Sequence, residues 1–193
     1  MKNITVFCGS NSGFRAEYAE AAVNLAGCLV ERNIRLIYGG GNVGLMGIIA
    51  NEVMRQNGEV IGIIPDSLDK KEVGHRGITE LRVVGSMHER KAMMADLTDG
   101  FIAMPGGIGT FEEFFEILTW AQLGFHEKPC GILNVAGYYN GLLALCDTAV
   151  GEGFLRDVHR RLILDNSDSK LLLEKMRVFQ PQTVEKWIDE TDL

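Results

Sequence analysis

Short apolar segments rich in β-branched residues alternate with helix-period segments along the chain. The predicted strands are residues 4–8, 35–38, 60–64, 81–84, 101–104 and 131–135. The predicted helices are residues 15–32, 45–57, 87–97, 111–123, 138–152, 170–178 and 183–190. Because helices supply the long crossovers that parallel strands need, this alternation predicts an α/β fold: a Rossmann-like, doubly wound parallel sheet with helices on both faces. With 193 residues and no linker or repeat, we expect a single domain over residues 1–193.

Three glycine-rich turns follow predicted strands: CGSNSG from Cys8, GGGNVGLMG from Gly39 and PGGIGT from Pro105. In an open α/β sheet, the carboxyl ends of the strands border the ligand crevice. We therefore expect the three turns to line one site, with Ser10, Gly40 and Gly41 among its ligand contacts.

The second turn, residues 39–44, also fits the GxGxxG pattern of dinucleotide-binding proteins. That interpretation needs an acidic residue near the end of the next strand to bind the ribose, but Glu59 lies at the beginning of that strand. The chain has no GxxxxGK[ST] sequence, so a triphosphate-binding loop is not indicated.

The third turn offers backbone N–H groups at the start of a predicted helix, where the helix dipole adds roughly half a positive charge. This arrangement suits a phosphate monoester. The same residues also fit a capping box, in which the Thr110 hydroxyl accepts from the Glu113 N–H and the glutamate reaches back. From these residues alone, a cap and a catalyst are equally good interpretations of Glu113.

A second capping box, Ser86 with Glu89, places Arg90 and Lys91 in the first turns of the next predicted helix. The helix dipole disfavours cations there by roughly 0.3 to 1 kcal/mol each. An arginine that reaches both a ligand phosphate and the Glu113 carboxylate would remove this conflict. We therefore favour a role at the ligand site over a solvated run of charges.

These motifs carry a family resemblance. The segments GGGNVGLMG, MHERKAMM and PGGIGTFEEFFEILTWAQLG, followed by KPCGILNVAGYYNGLL, resemble the Lonely Guy (LOG) family of nucleoside 5'-monophosphate phosphoribohydrolases, whose signature is PGGxGTxxE. The similarity extends from residue 1 to roughly residue 180. The loop LDKKEVGHRGITEL resembles that of bacterial members and differs from the ELTGE form of plant members. Members were long labelled lysine decarboxylases, but nothing in the chain indicates a pyridoxal-phosphate lysine.

The resemblance implies hydrolysis of the N-glycosidic bond of a cytokinin riboside 5'-monophosphate or of AMP, which releases the free base and ribose 5-phosphate. It implies Arg90 and Glu113 as the catalytic pair. It further implies substrate contacts at Glu72, Lys91, Gly106, Gly107, Ile108, Gly109, Thr110 and Thr119. It implies a homodimer, which the nearly all-apolar segment 111–125 also favours. No metal or cofactor is expected.

In the expected mechanism, the third glycine-rich turn and the Glu113 carboxylate contact different parts of one substrate. Glycine amides anchor the phosphate, while Glu113 faces the ribose, stabilises its oxocarbenium character and activates a water molecule. Arg90 is expected to orient Glu113 and to lower its pKa. The group that protonates the leaving base is not assigned.

The four histidines are expected to play lesser roles. His88 is interpreted as a structural helix residue and His75 as a residue that gates the substrate. His126 and His159 are interpreted as surface residues.

Composition narrows the class of partner. A net charge of -7 argues against nucleic-acid polymers, whose binding needs a basic surface. No apolar run approaches the roughly 18 residues of a membrane span, and Met1 is not followed by a signal-peptide core, so we expect a cytoplasmic protein without a membrane partner. The four cysteines lack zinc-ligand spacing and are expected to be reduced and buried.

Three functions from different classes stay open at this point. A phosphoribohydrolase is favoured. A non-catalytic carrier of a phosphorylated cofactor, similar to molybdenum-cofactor carriers, would keep the phosphate turn but would not need Arg90 and Glu113. A dinucleotide-dependent oxidoreductase would use residues 39–44 and would bind NAD.

Overall fold

The computed structural model describes residues 1–70 and 74–181 of the chain. Within these residues, seven parallel strands form a sheet in the order β4-β3-β2-β1-β5-β6-β7. The strands are β1 (Asn3–Phe7), β2 (Arg35–Tyr38), β3 (Val60–Pro65), β4 (Glu80–Val84), β5 (Phe101–Ala103), β6 (Cys130–Leu133) and β7 (Ile163–Asn166). The helices are α1 (Ala16–Glu31), α2 (Gly44–Arg55), α3 (Asp66–Asp69), α4 (Met87–Leu97), α5 (Ile108–Gln122), α6 (Asn140–Gly151), α7 (Asp157–Arg160) and α8 (Ser169–Arg177). The predicted helix over 183–190 lies outside the described residues.

Side chains of the central strands alternate between two cores because successive strand residues point to opposite faces of a sheet. Ile4, Val6 and Leu36 pack with buried residues of α1, α2 and α8. Phe7 and Ile37 pack with buried residues of α4, α5 and α6. The prediction of a doubly wound parallel sheet with helices on both faces is therefore confirmed, and burial on both faces explains why the strands read as continuous apolar runs.

The order of the strands reverses beside β1. The chain extends from β1 through β2 and β3 to β4 at one edge, then returns to the other side of β1, where Thr5 lies opposite Phe101 of β5. A ligand crevice forms at such a switch point, outside the carboxyl ends of the two diverging strands. Here those ends lead into the first and third glycine-rich turns.

The sequence does not predict strand β7 or the single-turn helices α3 and α7. β7 has the sequence ILDN, of which only Ile163 is buried, so it lacks the apolar run that identifies the other strands. The prediction of a single domain over 1–193 stays a prediction.

The capping box predicted at Thr110 and Glu113 is wrong. α5 begins at Ile108 with Gly107 as its N-cap, so Thr110 already lies within the first turn. Glycine is an accepted N-cap because its backbone adopts the required extended conformation without a side chain. Glu113 is therefore not needed as a cap, which leaves its carboxylate available for the site.

The backbone around Gly44 leaves no room for a side chain, which gives a testable prediction about stability. Its φ is 53°, and a Cβ there would lie 2.3 Å from the Ser10 carbonyl carbon and 2.4 Å from Asn11 N. We predict that Gly44→Ala lowers the free energy of unfolding by about 2 kcal/mol or more, measured by urea denaturation. The control is Gly141→Ala in α6, whose Cβ would contact nothing within 4 Å. The control should leave the free energy unchanged or raise it by up to about 1 kcal/mol; equal effects of the two variants would contradict the steric argument.

Candidate active site

The third glycine-rich turn presents the N-terminus of α5 to solvent. A Cβ on Gly106 would lie 2.2 Å from Thr110 Oγ1 and 2.9 Å from Gly9 N, so the turn requires glycine there. A Cβ on Gly107 or Gly109 would contact nothing within 4 Å. The first N–H groups of a helix have no partner within it, and here they border open space at the positive end of the helix dipole. This geometry suits a phosphate group.

Backbone hydrogen bonds hold the three glycine-rich turns together. Gly9 N donates to the Pro105 carbonyl over 3.0 Å, and Leu45 N donates to the Gly9 carbonyl over 3.0 Å. An open cavity of about 200 Å³ lies between the first and third turns, and Ser10 and Gly107 are part of its lining. The structure thus brings the predicted contact Ser10 beside the turn that suits a phosphate.

The predicted capping box at the start of α4 is confirmed, and it fixes the position of Arg90. Ser86 Oγ accepts from Glu89 N over 3.1 Å, while the Glu89 carboxylate accepts from Gly85 N over 2.7 Å. The glutamate thus bonds one residue before the expected N-cap amide. The following residue, Arg90, is only 8% exposed and turns inward from the first turn of α4.

Arg90 and Glu113 form the buried ion pair at the centre of the site. Arg90 Nε donates to the Ile63 carbonyl over 3.2 Å, and its Nη2 lies 3.2 Å from Glu113 Oε1. A Cβ on Gly39 would lie 2.0 Å from the same Nη2, so only glycine leaves room for the guanidinium. The sequence predicts the pair but not this role of Gly39, because the GxGxxG pattern offers a different reason for a glycine there.

Burial is the main influence on the Glu113 carboxyl, which is 9% exposed. Burial raises the pKa of Glu113 above its ordinary value, and Arg90 opposes this rise. Glu112 and Glu116 raise the pKa of Glu113 further, and Lys91 lowers it. Arg90 lowers the pKa of Glu113 as expected, but desolvation outweighs the guanidinium, so the net shift of this pKa is upward. A buried carboxyl with a raised pKa is suited to proton transfer near neutral pH.

Lys91 and Thr119 make contacts with α5. Lys91 Nζ lies 2.7 Å from Glu112 Oε1 and 2.9 Å from Glu116 Oε2. Thr119 is exposed near the end of α5, and its hydroxyl donates to the Phe115 carbonyl over 2.7 Å. The substrate contacts predicted at Lys91 and Thr119 stay predictions.

Gly40 and Gly41 are buried and hold the segment that leads to β4. Gly41 forms an antiparallel bridge with Gly74, and the Gly40 carbonyl accepts from His75 N over 2.8 Å. Gly40 has a φ of 75°, which favours glycine. The substrate contacts predicted at these two glycines stay predictions, and Glu72 lies outside the described residues.

Two histidine interpretations are wrong. His159 is 7% exposed because α7 packs against α6, and its Nε2 has no hydrogen-bond partner among the residues that the structure describes. His126 is half-buried, with Nε2 2.9 Å from a backbone carbonyl. His75 is buried, with Nδ1 3.1 Å from the Tyr38 hydroxyl. His88 is exposed on α4. Burial is the main cause that lowers the pKa of the first three rings.

Two tyrosines support the third glycine-rich turn, although the sequence did not indicate this role for them. The Tyr138 hydroxyl donates to the Gly106 carbonyl over 2.5 Å, and the Tyr139 hydroxyl donates to the Met104 carbonyl over 2.7 Å. Their rings lie edge to face with centroids 5.0 Å apart. The sequence feature that could have identified these tyrosines is their position just after β6, near the carboxyl end of a parallel strand.

The structure does not place Glu59 where a dinucleotide-binding protein would need an acid to bind the ribose. Glu59 precedes β3, and its carboxylate accepts from Arg35 Nε over 2.6 Å. Since β2 and β3 are parallel, Glu59 lies at the edge of the sheet opposite to the glycine-rich turn after β2.

Within residues 1–70 and 74–181, no three or more histidine, cysteine or acidic side chains cluster in a way that could hold a metal ion. All four cysteines are free and buried. In the same part of the chain, no helix combines the length and apolar character that a membrane span requires.

The fold and this site define an α/β protein with an anion-binding turn and a buried arginine–glutamate pair at the switch point. The structure is similar to the molybdenum cofactor binding protein from the phototrophic bacterium Rippkaea orientalis, with a TM-score of 0.69 at 20% identity over 92% of this chain and 96% of that chain. At this level of identity, the similarity shows the fold alone.

Sequence comparison identifies the family. Residues 46–176 match the family described as "Possible lysine decarboxylase". The chain is 49% identical over 181 residues to the cytokinin riboside 5'-monophosphate phosphoribohydrolase LOG7 of Arabidopsis thaliana, covering 94% of this chain and 83% of that protein. It is 51% identical over 180 residues to the probable cytokinin riboside 5'-monophosphate phosphoribohydrolase LOGL9 of Oryza sativa subsp. japonica, covering 93% and 79%. The chain therefore belongs to the Lonely Guy family, as its motifs indicate.

Gly39 allows a direct test of the site geometry. We predict that Gly39→Ala displaces the Arg90 guanidinium, because the new Cβ would occupy its space, and that base release from a cytokinin riboside 5'-monophosphate falls at least about tenfold. The control is Gly27→Ala in α1, where the nearest atom would be the Gln56 side chain at 3.5 Å. Chromatography of the products measures release; an active Gly39→Ala enzyme beside an equally active control would contradict the packing argument.

Proposed function

We propose that this protein hydrolyses the N-glycosidic bond of nucleoside 5'-monophosphates and releases the free base and ribose 5-phosphate. One observation carries the proposal: Arg90 Nη2 of α4 lies 3.2 Å from Glu113 Oε1, in a buried pair whose glutamate belongs to α5, the helix whose N-terminus can bind the phosphate. The relatives that share about half of its residues are named for this reaction on cytokinin riboside 5'-monophosphates.

The substrate phosphate binds at the third glycine-rich turn in this proposal. The N–H groups of Gly107, Ile108 and Gly109 supply donors without side-chain obstruction, and the α5 dipole adds favourable charge. A local anion site of this kind is compatible with an acidic protein, because the field at a helix terminus is short-ranged.

Glu113 acts as the general base and as the negative charge near the ribose. The C1'–N bond breaks and its electron pair leaves with the base, which takes up a proton. The hydroxyl of a water molecule adds to C1', and the other water proton passes to Glu113. Arg90 orients the carboxylate and favours its ionised form, while burial keeps its pKa high enough for efficient proton transfer.

The proposal also includes AMP as a substrate and the cytoplasm as the compartment. AMP is a substrate alongside cytokinin riboside monophosphates, because the phosphate turn and the pair address only the ribose 5-phosphate part that they share. The protein acts in the cytoplasm, and its four free, buried cysteines support a reducing compartment.

The active protein is a homodimer in this proposal. Large apolar side chains are exposed on α5, on α6 and just after α6: Ile108 at 81%, Leu145 at 68% and Phe154 at 89%. Large exposed apolar side chains occur at subunit interfaces, and two-fold association is the commonest form. Light scattering after size exclusion should give twice the 21.3 kDa chain mass, and a monomer at micromolar concentration would contradict it.

A cofactor carrier would also use the glycine-rich turn, but it has no use for the buried pair. Placing an arginine and a glutamate in a buried position costs desolvation free energy that simple phosphate binding does not require. The pair therefore favours hydrolysis over carriage.

Glu113→Gln tests the proposal. Glutamine keeps the size of the side chain and an oxygen for Arg90, but it cannot accept the proton of water. We predict that the variant folds and binds AMP, while base release falls by about 10² to 10⁴-fold. The assay incubates purified protein with AMP, isopentenyladenosine monophosphate, CMP or GMP and detects free base by chromatography.

The matched control is Glu127→Gln, an exposed acid in the loop after α5, which should keep wild-type release. Undiminished release by Glu113→Gln would refute the assignment of the base. Absence of release from all four nucleotides by the wild-type protein would refute the proposed function.

A further inference from the structure

The peptide group between Gly106 and Gly107 belongs to the turn that suits a phosphate. It consists of the Gly106 carbonyl and the Gly107 N–H, which point in opposite directions because a trans peptide group is planar. The Tyr138 hydroxyl donates to this carbonyl over 2.5 Å, so the Gly107 N–H is directed away from Tyr138. A Cβ on Gly107 would contact nothing within 4 Å, so this residue borders open space.

Two consecutive glycines leave this peptide group free to rotate. The φ of Gly107 is −98°, and a half-turn of the peptide plane would bring it into the positive region, which glycine adopts about as readily as the negative one. After such a flip, the Gly106 carbonyl would take the place of the Gly107 N–H and would repel a phosphate. A hydrogen bond that holds the carbonyl therefore favours the orientation that binds an anion.

The turn between β6 and α6 gives the backbone around Tyr138 a defined position. Asn134 Oδ1 accepts from Tyr139 N over 2.8 Å, and Asn134 N donates to the Asn166 carbonyl over 2.8 Å. Ala136 has a φ of 50°, which is disfavoured for a residue with a side chain. Such a conformation persists where the surrounding structure determines it, and it is frequent at functional sites.

Neighbouring aromatic rings hold the Tyr138 side chain. Its ring lies edge to face with the ring of Tyr139, with centroids 5.0 Å apart, and with the ring of Tyr18, with centroids 5.8 Å apart. Both arrangements are favourable for aromatic pairs. The Tyr138 hydroxyl thus reaches the Gly106 carbonyl from a ring that is supported by two others, although the residue is 40% exposed.

We propose that Tyr138 is a positioning residue for phosphate binding: its hydroxyl holds the peptide group between Gly106 and Gly107 in the orientation that directs the Gly107 N–H at the substrate phosphate. The inference rests on the proposed function in so far as the third glycine-rich turn binds the 5'-phosphate. Tyr138 acts through this peptide group, so its hydroxyl affects the affinity for phosphorylated ligands and not the breaking of the glycosidic bond.

Tyr138→Phe keeps the ring and removes the donor. The affinity for ribose 5-phosphate, measured by isothermal titration calorimetry, should fall about 3- to 10-fold, which corresponds to the net loss of one hydrogen bond. KM for isopentenyladenosine 5'-monophosphate should rise by a similar factor, with kcat changed less than about twofold. The matched control is Tyr18→Phe, which removes a hydroxyl from the adjacent ring and should bind ribose 5-phosphate like the wild type.

Gly107→Ala distinguishes orientation of the peptide group from a direct contact between Tyr138 and the phosphate. Alanine disfavours the positive φ that the flipped peptide group needs, so it keeps the N–H orientation without the tyrosine hydroxyl. In a double-mutant cycle, Tyr138→Phe should therefore weaken ribose 5-phosphate binding less than about twofold in the Gly107→Ala background. A hydroxyl that touched the phosphate would cause the same loss in both backgrounds, and a purely structural role would lower Tm without changing the affinity.

Unchanged ribose 5-phosphate affinity in folded Tyr138→Phe, or an equal loss in both backgrounds, would overturn the proposal. If Tyr138→Phe does not fold, ¹⁵N relaxation dispersion of the Gly107 amide in ligand-free wild-type protein decides: microsecond-to-millisecond exchange would overturn the proposal, and its absence would support it. Calorimetry needs no turnover, so the proposed function fails separately, when wild-type protein binds ribose 5-phosphate in a Tyr138-dependent manner but releases no base.

Discussion

The buried pair of Arg90 and Glu113 is the interaction on which the site depends. Burying two charges costs free energy that their attraction offsets only when geometry and additional hydrogen bonds are favourable. Arg90 has such support, because its Nε donates to the Ile63 carbonyl and the absence of a side chain on Gly39 leaves room for the guanidinium. Glu113 has less support, and burial raises its pKa. An ion pair with a purely structural role would not need a glutamate with a raised pKa, whereas a general base that works near neutral pH does.

The parallel sheet places this pair beside the anion-binding turn. The strand order reverses between β1 and β5, so the turns that follow them diverge and leave a crevice. Close packing of Gly9, Gly44 and Gly106 on neighbouring backbone keeps the turns together, and Tyr138 fixes the carbonyl of Gly106. The N–H groups of the third turn therefore face outward in a fixed geometry, which lowers the entropic cost of binding a phosphate.

Charge at the site is controlled by several residues of α4 and α5 together. Lys91, Glu112 and Glu116 all affect the Glu113 carboxyl, because electrostatic influence in a partly buried cluster extends over several ångströms. The three acids of α5 would repel one another if they were unpaired. Two consecutive cations on the first turns of α4 compensate them, which explains cations at a helix position where the dipole disfavours them.

The sequence by itself determined the alternation of strands and helices, the three glycine-rich turns and the family, because periodicity and turn chemistry are local properties of the chain. It also indicated that Arg90 and Glu113 belong together, since an arginine that reaches both a ligand phosphate and the Glu113 carboxylate removes the conflict of a cation at a helix start. Only the tertiary structure decided where α5 begins, that Gly39 must leave room for Arg90, and that desolvation outweighs Arg90 in setting the pKa of Glu113. These depend on which distant segments approach one another and how much water they exclude, and no local pattern of residues records that.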